Sequence, residues 1–132
     1  MIALIALVDC ALAGDRECRA LAAGTGRWHE IVVSNEAFPA GYRAALGLSL
    51  AKFHAAAGHH DAAVAAAARA GTLAGDNLAY RLQEATLYGL LGRNEELAAA
   101  LEEIEAAFPR RAPGDPTFIE LRARLRSSAD RT

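Results

Sequence analysis

The feature that most constrains the fold of this chain is a recurring glycine. Gly26, Gly58 and Gly92 lie 32 and 34 residues apart, and each opens the same pattern: a glycine, three mostly polar residues, then an apolar helical start. The copies are Gly26-Arg27-Trp28-His29-Glu30-Ile31-Val32, Gly58-His59-His60-Asp61-Ala62-Ala63-Val64 and Gly92-Arg93-Asn94-Glu95-Glu96-Leu97-Ala98. A tight helix-turn-helix needs a glycine that closes one helix in the left-handed conformation, followed by an Asp or Asn able to cap the next. Each glycine is therefore expected at a hairpin apex. Asp61 and Glu95 put a negative charge near the exposed N–H groups that open the second helix, and His29 takes that place in the first copy.

Helical periodicity covers nearly everything between these apices. The pattern predicts a helix from Ile2 to Ala23, broken near Gly14-Asp15, and a shorter one from Trp28 to Ala37 that Pro39 ends. Two pairs follow: Gly41 to Ala57 with Asp61 to Leu73, and Asn77 to Leu91 with Glu95 to Phe108. A last helix starts at Asp115-Pro116, an N-cap with proline in the first helical position, and runs to about Ser128 with Phe118, Leu121 and Leu125 on one face. Linkers such as Arg110-Arg111-Ala112-Pro113-Gly114 are short. The expectation is one domain over residues 1–132, with units of about 1–39, 40–76 and 77–110 and a closing helix over 115–128.

Composition agrees with helices and removes other classes. Thirty-three residues are Ala, against eight aromatics and four Pro, so the hydrophobic content rests on the strongest helix former and an all-β fold is excluded. No apolar run approaches the ~18 residues of a membrane span. The 14 basic and 16 acidic side chains leave a net charge of −2, which gives no global field for nucleic acid or anionic lipid. Cys10 and Cys18 form neither a disulfide framework nor a zinc-like pair, so a reduced, cytoplasmic setting is the default. The apolar start from Met1 to Val8 lacks a basic n-region and is interrupted by Asp9, which favours a first helix over a signal peptide.

A period near 34 with paired helices is the sign of a repeat stack in which no unit buries its apolar face alone. The third unit, Asn77 to Pro109, resembles a tetratricopeptide repeat: Ala85 is its small residue, Tyr88 its aromatic, Gly92 its turn, Leu101 a large apolar residue and Pro109 the closing proline. In the second unit Leu50, Ala51, Gly58, Ala63 and Ala70 fit, with His54 at the aromatic position and Gly75 at the proline position. The first unit keeps Gly26 and the helical rhythm. The resemblance implies an all-α fold of about three stacked antiparallel hairpins with a C-terminal capping helix. Small side chains at the crossings would let helix axes approach toward ~8 Å, which gives the alanines a packing role. In size, apolar first helix and closing helix with Arg122, Arg124 and Arg126, the chain is also similar to the small tetratricopeptide-type chaperones of bacterial type III secretion.

Candidate chemistry does not assemble. Gly47-Leu48-Ser49-Leu50-Ala51 is one residue short of a Gly-x-Ser-x-Gly nucleophile elbow, but Ser49 falls inside a predicted helix and no His follows His60. Gly24-Thr25-Gly26 lacks the third glycine and the preceding strand of a dinucleotide loop. His59-His60-Asp61 holds three metal-ligating types, yet neighbours on one turn rarely converge on one ion. His54 is expected as a half-buried core histidine, and Glu30, Glu84 and Glu120 form no acid–base pair. No catalysis, cofactor or metal is expected. Charge segregates once: Glu95, Glu96, Glu102, Glu103 and Glu105 precede a segment with Arg110, Arg111, Arg122, Arg124, Arg126 and Arg131. These read as solvated faces with mutual salt bridges worth ~0–1 kcal/mol each, and without interleaved aromatics they make no nucleic-acid interface.

The resemblance also implies where binding occurs. Its groove positions lie two, three, six, nine and ten residues before each turn glycine: Ala56, Ala55, Lys52, Ser49 and Leu48 in the second unit, and Leu90, Gly89, Thr86, Gln83 and Leu82 in the third. In the degraded first unit they are Gly24, Ala23, Ala20, Glu17 and Arg16. Only Lys52 and Arg16 could hold a carboxylate, so no carboxylate clamp is implied. A small, apolar lining suits an amphipathic helix or extended apolar segment of a partner polypeptide. The expected function is a non-catalytic adaptor or chaperone-like module. The alternative is a self-associating scaffold, a homodimer through the Ile2 to Val8 face or the Phe118 and Leu121 face.

Overall fold

The computed structural model describes residues 32–130, which are helical with no strand among them. Helices α1 (Ala40–Ala56), α2 (His60–Ala74), α3 (Leu78–Leu90), α4 (Asn94–Ala107) and α5 (Pro116–Asp130) follow in order, with a short 3-10 turn, η1 (Ala112–Gly114), before the last. The chain divides between Ala74 and Gly75 into two compact units. In the first, α1 packs along α2. In the second, α3 packs against α4 and α5, α4 also meets α5, and η1 supports both of these. The bounds of all five helices fall within two residues of those read from the sequence. The Ile2 to Ala23 helix, the Gly26 apex and the groove positions Arg16 to Gly24 lie outside the described residues.

The two described apices are built alike. Gly58 and Gly92 have φ of 82° and 70°. Around Gly58, the His59 N–H donates to the His54 carbonyl at 2.9 Å and the Gly58 N–H to the Ala55 carbonyl at 3.1 Å. Around Gly92, the Arg93 N–H donates to the Tyr88 carbonyl at 2.9 Å and the Gly92 N–H to the Gly89 carbonyl at 3.2 Å. This is the paired 6→1 and 5→2 bonding of a Schellman cap, which satisfies the last carbonyls of the helix only when the residue after it turns left-handed.

Other ends are fixed by side chains. Asn77 caps α3 by accepting from the Tyr80 N–H at 3.1 Å, and Asp115 caps α5 by accepting from the Thr117 N–H at 2.9 Å. Asn94, expected as a cap, is instead the first residue of α4. The cap is Arg93, which makes no side-chain capping bond and is the one residue between the left-handed Gly92 and the helix. The helix expected to run to Ala37 ends at Ser34. There Asn35 opens a turn, its side chain accepting from the Ala37 N–H at 2.9 Å and its carbonyl from the Phe38 N–H at 3.1 Å.

Packing in the first unit depends on small residues. Ala44, Ala51, Ala63, Ala67 and Ala70 are fully buried, and a Cβ added to Gly47 would come within 3.1 Å of the Ala70 Cβ. Beside this crossing, Val32, Val33 and Leu46 form a cluster with Phe38, Tyr42 and Leu73, and the Arg43 Nε donates to the Val33 carbonyl at 2.7 Å. The second unit uses larger residues: Leu97, Leu101, Ile104, Phe118 and Leu121 are buried. Each such side chain removed from water contributes about 1.5–3 kcal/mol.

The twin caps set a stability test. Gly92→Ala forces a Cβ into the left-handed region and is expected to cost about 1–2 kcal/mol in urea unfolding. Gly41→Ala, in the first turn of α1 with no atom within 4 Å of the added Cβ, is expected to be neutral or to stabilise by about 0.5 kcal/mol. Equal effects of the two substitutions would contradict the role given to Gly92.

Candidate partner-binding surface

The first helices of the two hairpins, α1 and α3, carry the residues expected to meet a partner. Their surroundings differ. In α1 the consecutive run Leu46, Gly47, Leu48, Ser49, Leu50 and Ala51 is buried on every side. Leu48, at 2% exposure, therefore belongs to the core, and Ser49 is enclosed mid-helix with no strand before it, so the elbow geometry is absent. Lys52 and Ala55 are half-buried, and Ala56 is exposed at the C-terminal end of the helix.

In α3, Leu82 is likewise a core residue at 5% exposure, but a strip of small, neutral and apolar residues remains open beside it. Ala79, Gln83, Thr86 and Leu90 follow one another at i, i+4, i+7 and i+11, which puts them on one face. Ala79 is exposed, Gln83 and Thr86 are half-buried, and Leu90 stands 69% exposed. The Thr86 hydroxyl donates to the Leu82 carbonyl at 2.8 Å, so it offers outward a methyl group and an acceptor. Gln83 makes no side-chain hydrogen bond among the described residues. Gly89 does not belong to the strip: a Cβ there would meet Leu121 and Arg124 of α5 at 3.5 Å and Leu97 of α4 at 3.8 Å.

Two open positions were not among those expected. Ala79 and the half-buried Ala45 each lie thirteen residues before a turn glycine, one helical turn beyond the positions considered. Extending the same register by one turn finds both.

The buried face of α3 holds its one ionisable cluster. The Tyr88 hydroxyl donates to the Glu84 Oε2 at 2.7 Å, the Arg81 Nε lies 3.9 Å from Glu84 Oε1, and the Arg81 Nη2 reaches Glu103 of α4 at 3.5 Å. Burial pushes the Glu84 carboxyl above its ordinary range, outweighing the opposing effects of the Tyr88 hydrogen bond and Arg81, while Glu103 adds to the rise. Burial and the same carboxylate push the Tyr88 phenol up. Through the Arg81–Glu103 contact this cluster joins α3 to α4.

Elsewhere, the His54 ring lies 6.2 Å from the Phe53 and His59 rings. Among the described residues no group of three His, Cys, Asp or Glu side chains could hold a metal ion, and no helix is long and apolar enough to cross a membrane. Phe118 and Leu121, one face of the expected homodimer, are buried at 1% and 4% exposure, so that face is occupied within the second unit. Comparison with protein-family models, curated proteins and solved structures finds no match.

The Glu84 carboxyl gives a pH test with a definite sign. Because its value is raised on folding, the stability linked to its proton is fully present below the unfolded value near 4.5 and is lost as pH rises through the folded one. Glu84→Gln, which still accepts from the Tyr88 hydroxyl, should therefore gain stability relative to wild type as pH increases from about 4.5 toward neutrality. Parallel pH profiles in urea unfolding would contradict this.

Proposed function

We propose that this chain is a non-catalytic interaction module of the tetratricopeptide type, an adaptor or chaperone-like protein of the cytoplasm. It holds an amphipathic helix or an extended apolar segment of another polypeptide in the concave groove such repeats present. The observation that carries the reading is the recurrence of one binding register on two hairpins whose turns have the same hydrogen bonds. Thirty-four residues separate Ala45 from Ala79, Lys52 from Thr86 and Ala56 from Leu90, and each of these positions is at least partly open. The residues are small or apolar with few charges. Leu90 is a large aliphatic side chain left in water at the end of the strip, and covering it would yield about 1.5–3 kcal/mol, tenfold or more in affinity.

The narrower likeness to type III secretion chaperones rests on size and layout, and a self-associating scaffold retains only the face from Ile2 to Val8. Neither gains a specific observation from the described residues.

The test is a pull-down from the native host with wild type and with the double variant Ala56→Glu, Leu90→Glu. Both sites are exposed, so circular dichroism and melting temperature should be little changed. The wild type is expected to retain a polypeptide that the variant loses by tenfold or more. A correctly folded variant that retains every partner equally well would overturn the assignment.

A further inference from the structure

The open strip of α3 ends beside a cation supplied by the closing helix. Arg124 stands on the flank of α5 that faces α3, and its Nη1 lies 3.5 Å from where a Cβ on Gly89 would sit. The absence of a side chain at residue 89 leaves room for the guanidinium there, and the next residue along α3 is the exposed Leu90. Arg124 is itself exposed, and no ion pair joins it to another described residue. Its neighbours are differently employed: Arg122 pairs with Glu105 at 3.4 Å and lies over the Phe118 ring, and Arg93, past the turn, lies 3.9 Å from Glu96. The C-terminal end of α3 thus combines a large exposed aliphatic group with a planar cation that is in no ion pair among the described residues.

We infer that Arg124 is a specificity residue of the partner surface, selecting segments in which a side-chain carboxylate follows the apolar residue that covers Leu90. The inference rests on the binding function proposed above and gives its partner a charge pattern. Charge complementarity carries it. Guanidinium groups recognise carboxylates in a planar two-pronged geometry that Lys and neutral side chains do not reproduce. An acidic peptide side chain fits better than a polyphosphate backbone, because the Glu residues of α4 flank the same unit and Leu90 requires an apolar contact.

The probes are three synthetic amphipathic helical peptides, amidated at the C-terminus, with one spacing of Leu and Ala and with Glu, Gln or Lys at the positions following the central Leu. Affinities are measured by fluorescence anisotropy at low salt. Wild type should bind the Glu peptide about 1.4-fold to fivefold tighter than the Gln peptide, the range an exposed ion pair yields, and the margin should shrink in high salt. Arg124→Gln should abolish the preference, Arg124→Glu should turn it toward the Lys peptide, and Arg126→Gln should leave it unchanged. Melting temperatures of the variants separate lost recognition from lost folding.

Equal binding of the Glu and Gln peptides by wild type, or an unchanged preference in folded Arg124→Gln, overturns the role of Arg124 while leaving the binding function standing. Failure of wild type to bind any of the three peptides counts against the binding function itself, and the charge rule falls with it.

Discussion

The structure of the described chain depends on a backbone conformation that only glycine adopts without strain. At residues 58 and 92 the chain turns left-handed, the N–H groups of the glycine and of the residue after it return to carbonyls of the helix just ended, and the next helix starts within two residues. Because the cap fixes both the end of one helix and the direction of its successor, it also fixes which faces of the pair meet. Two caps in one geometry, 34 residues apart, give two hairpins in which equivalent positions share a structural role. Ala51 and Ala85, one repeat apart, are both completely buried.

The equivalence is not identity, and the differences have functional weight. Leu50 of the first hairpin corresponds to Glu84 of the second, and His54 to Tyr88. The second hairpin thereby acquires a buried hydrogen bond and an arginine link to its partner helix, where the first relies on alanine and glycine at a close crossing. A buried carboxyl whose proton affinity is raised costs stability as pH rises toward neutrality. The second unit also gains α5, whose Phe118 is buried, whose Leu121 fills the space beside Gly89 of α3 and whose Arg124 borders the open strip.

Much of this was legible in the sequence, because punctuation residues act locally. Gly58, Gly92, Asn77 and Asp115 end or begin helices through bonds to residues at most five positions away, so their effect can be read without knowing the fold. The lining of the surface was harder. The family register puts Leu48 and Leu82 on it, yet both are core. A helix can be enclosed on more than one side, and the run Leu46-Gly47-Leu48-Ser49-Leu50-Ala51, almost without polar groups, is the signal that α1 is covered all round at its middle. The polar content of α3, with Arg81, Gln83 and Thr86, marks a helix with an open side. The approach of Arg124 to the space beside Gly89 joins residues 35 positions apart and has no local signature.

The twin turn is the claim from which the shared register, the open strip and the partner reading follow, and amide hydrogen exchange tests it most directly. The His59 and Arg93 N–H groups lie in what a plain sequence reading would make exposed loops, but here each closes a cap on a carbonyl five residues back. The account predicts that both amides exchange far more slowly than in a free peptide and at rates comparable to the helices they close. Exchange of either amide at the free-peptide rate, with the flanking helices protected, would contradict it.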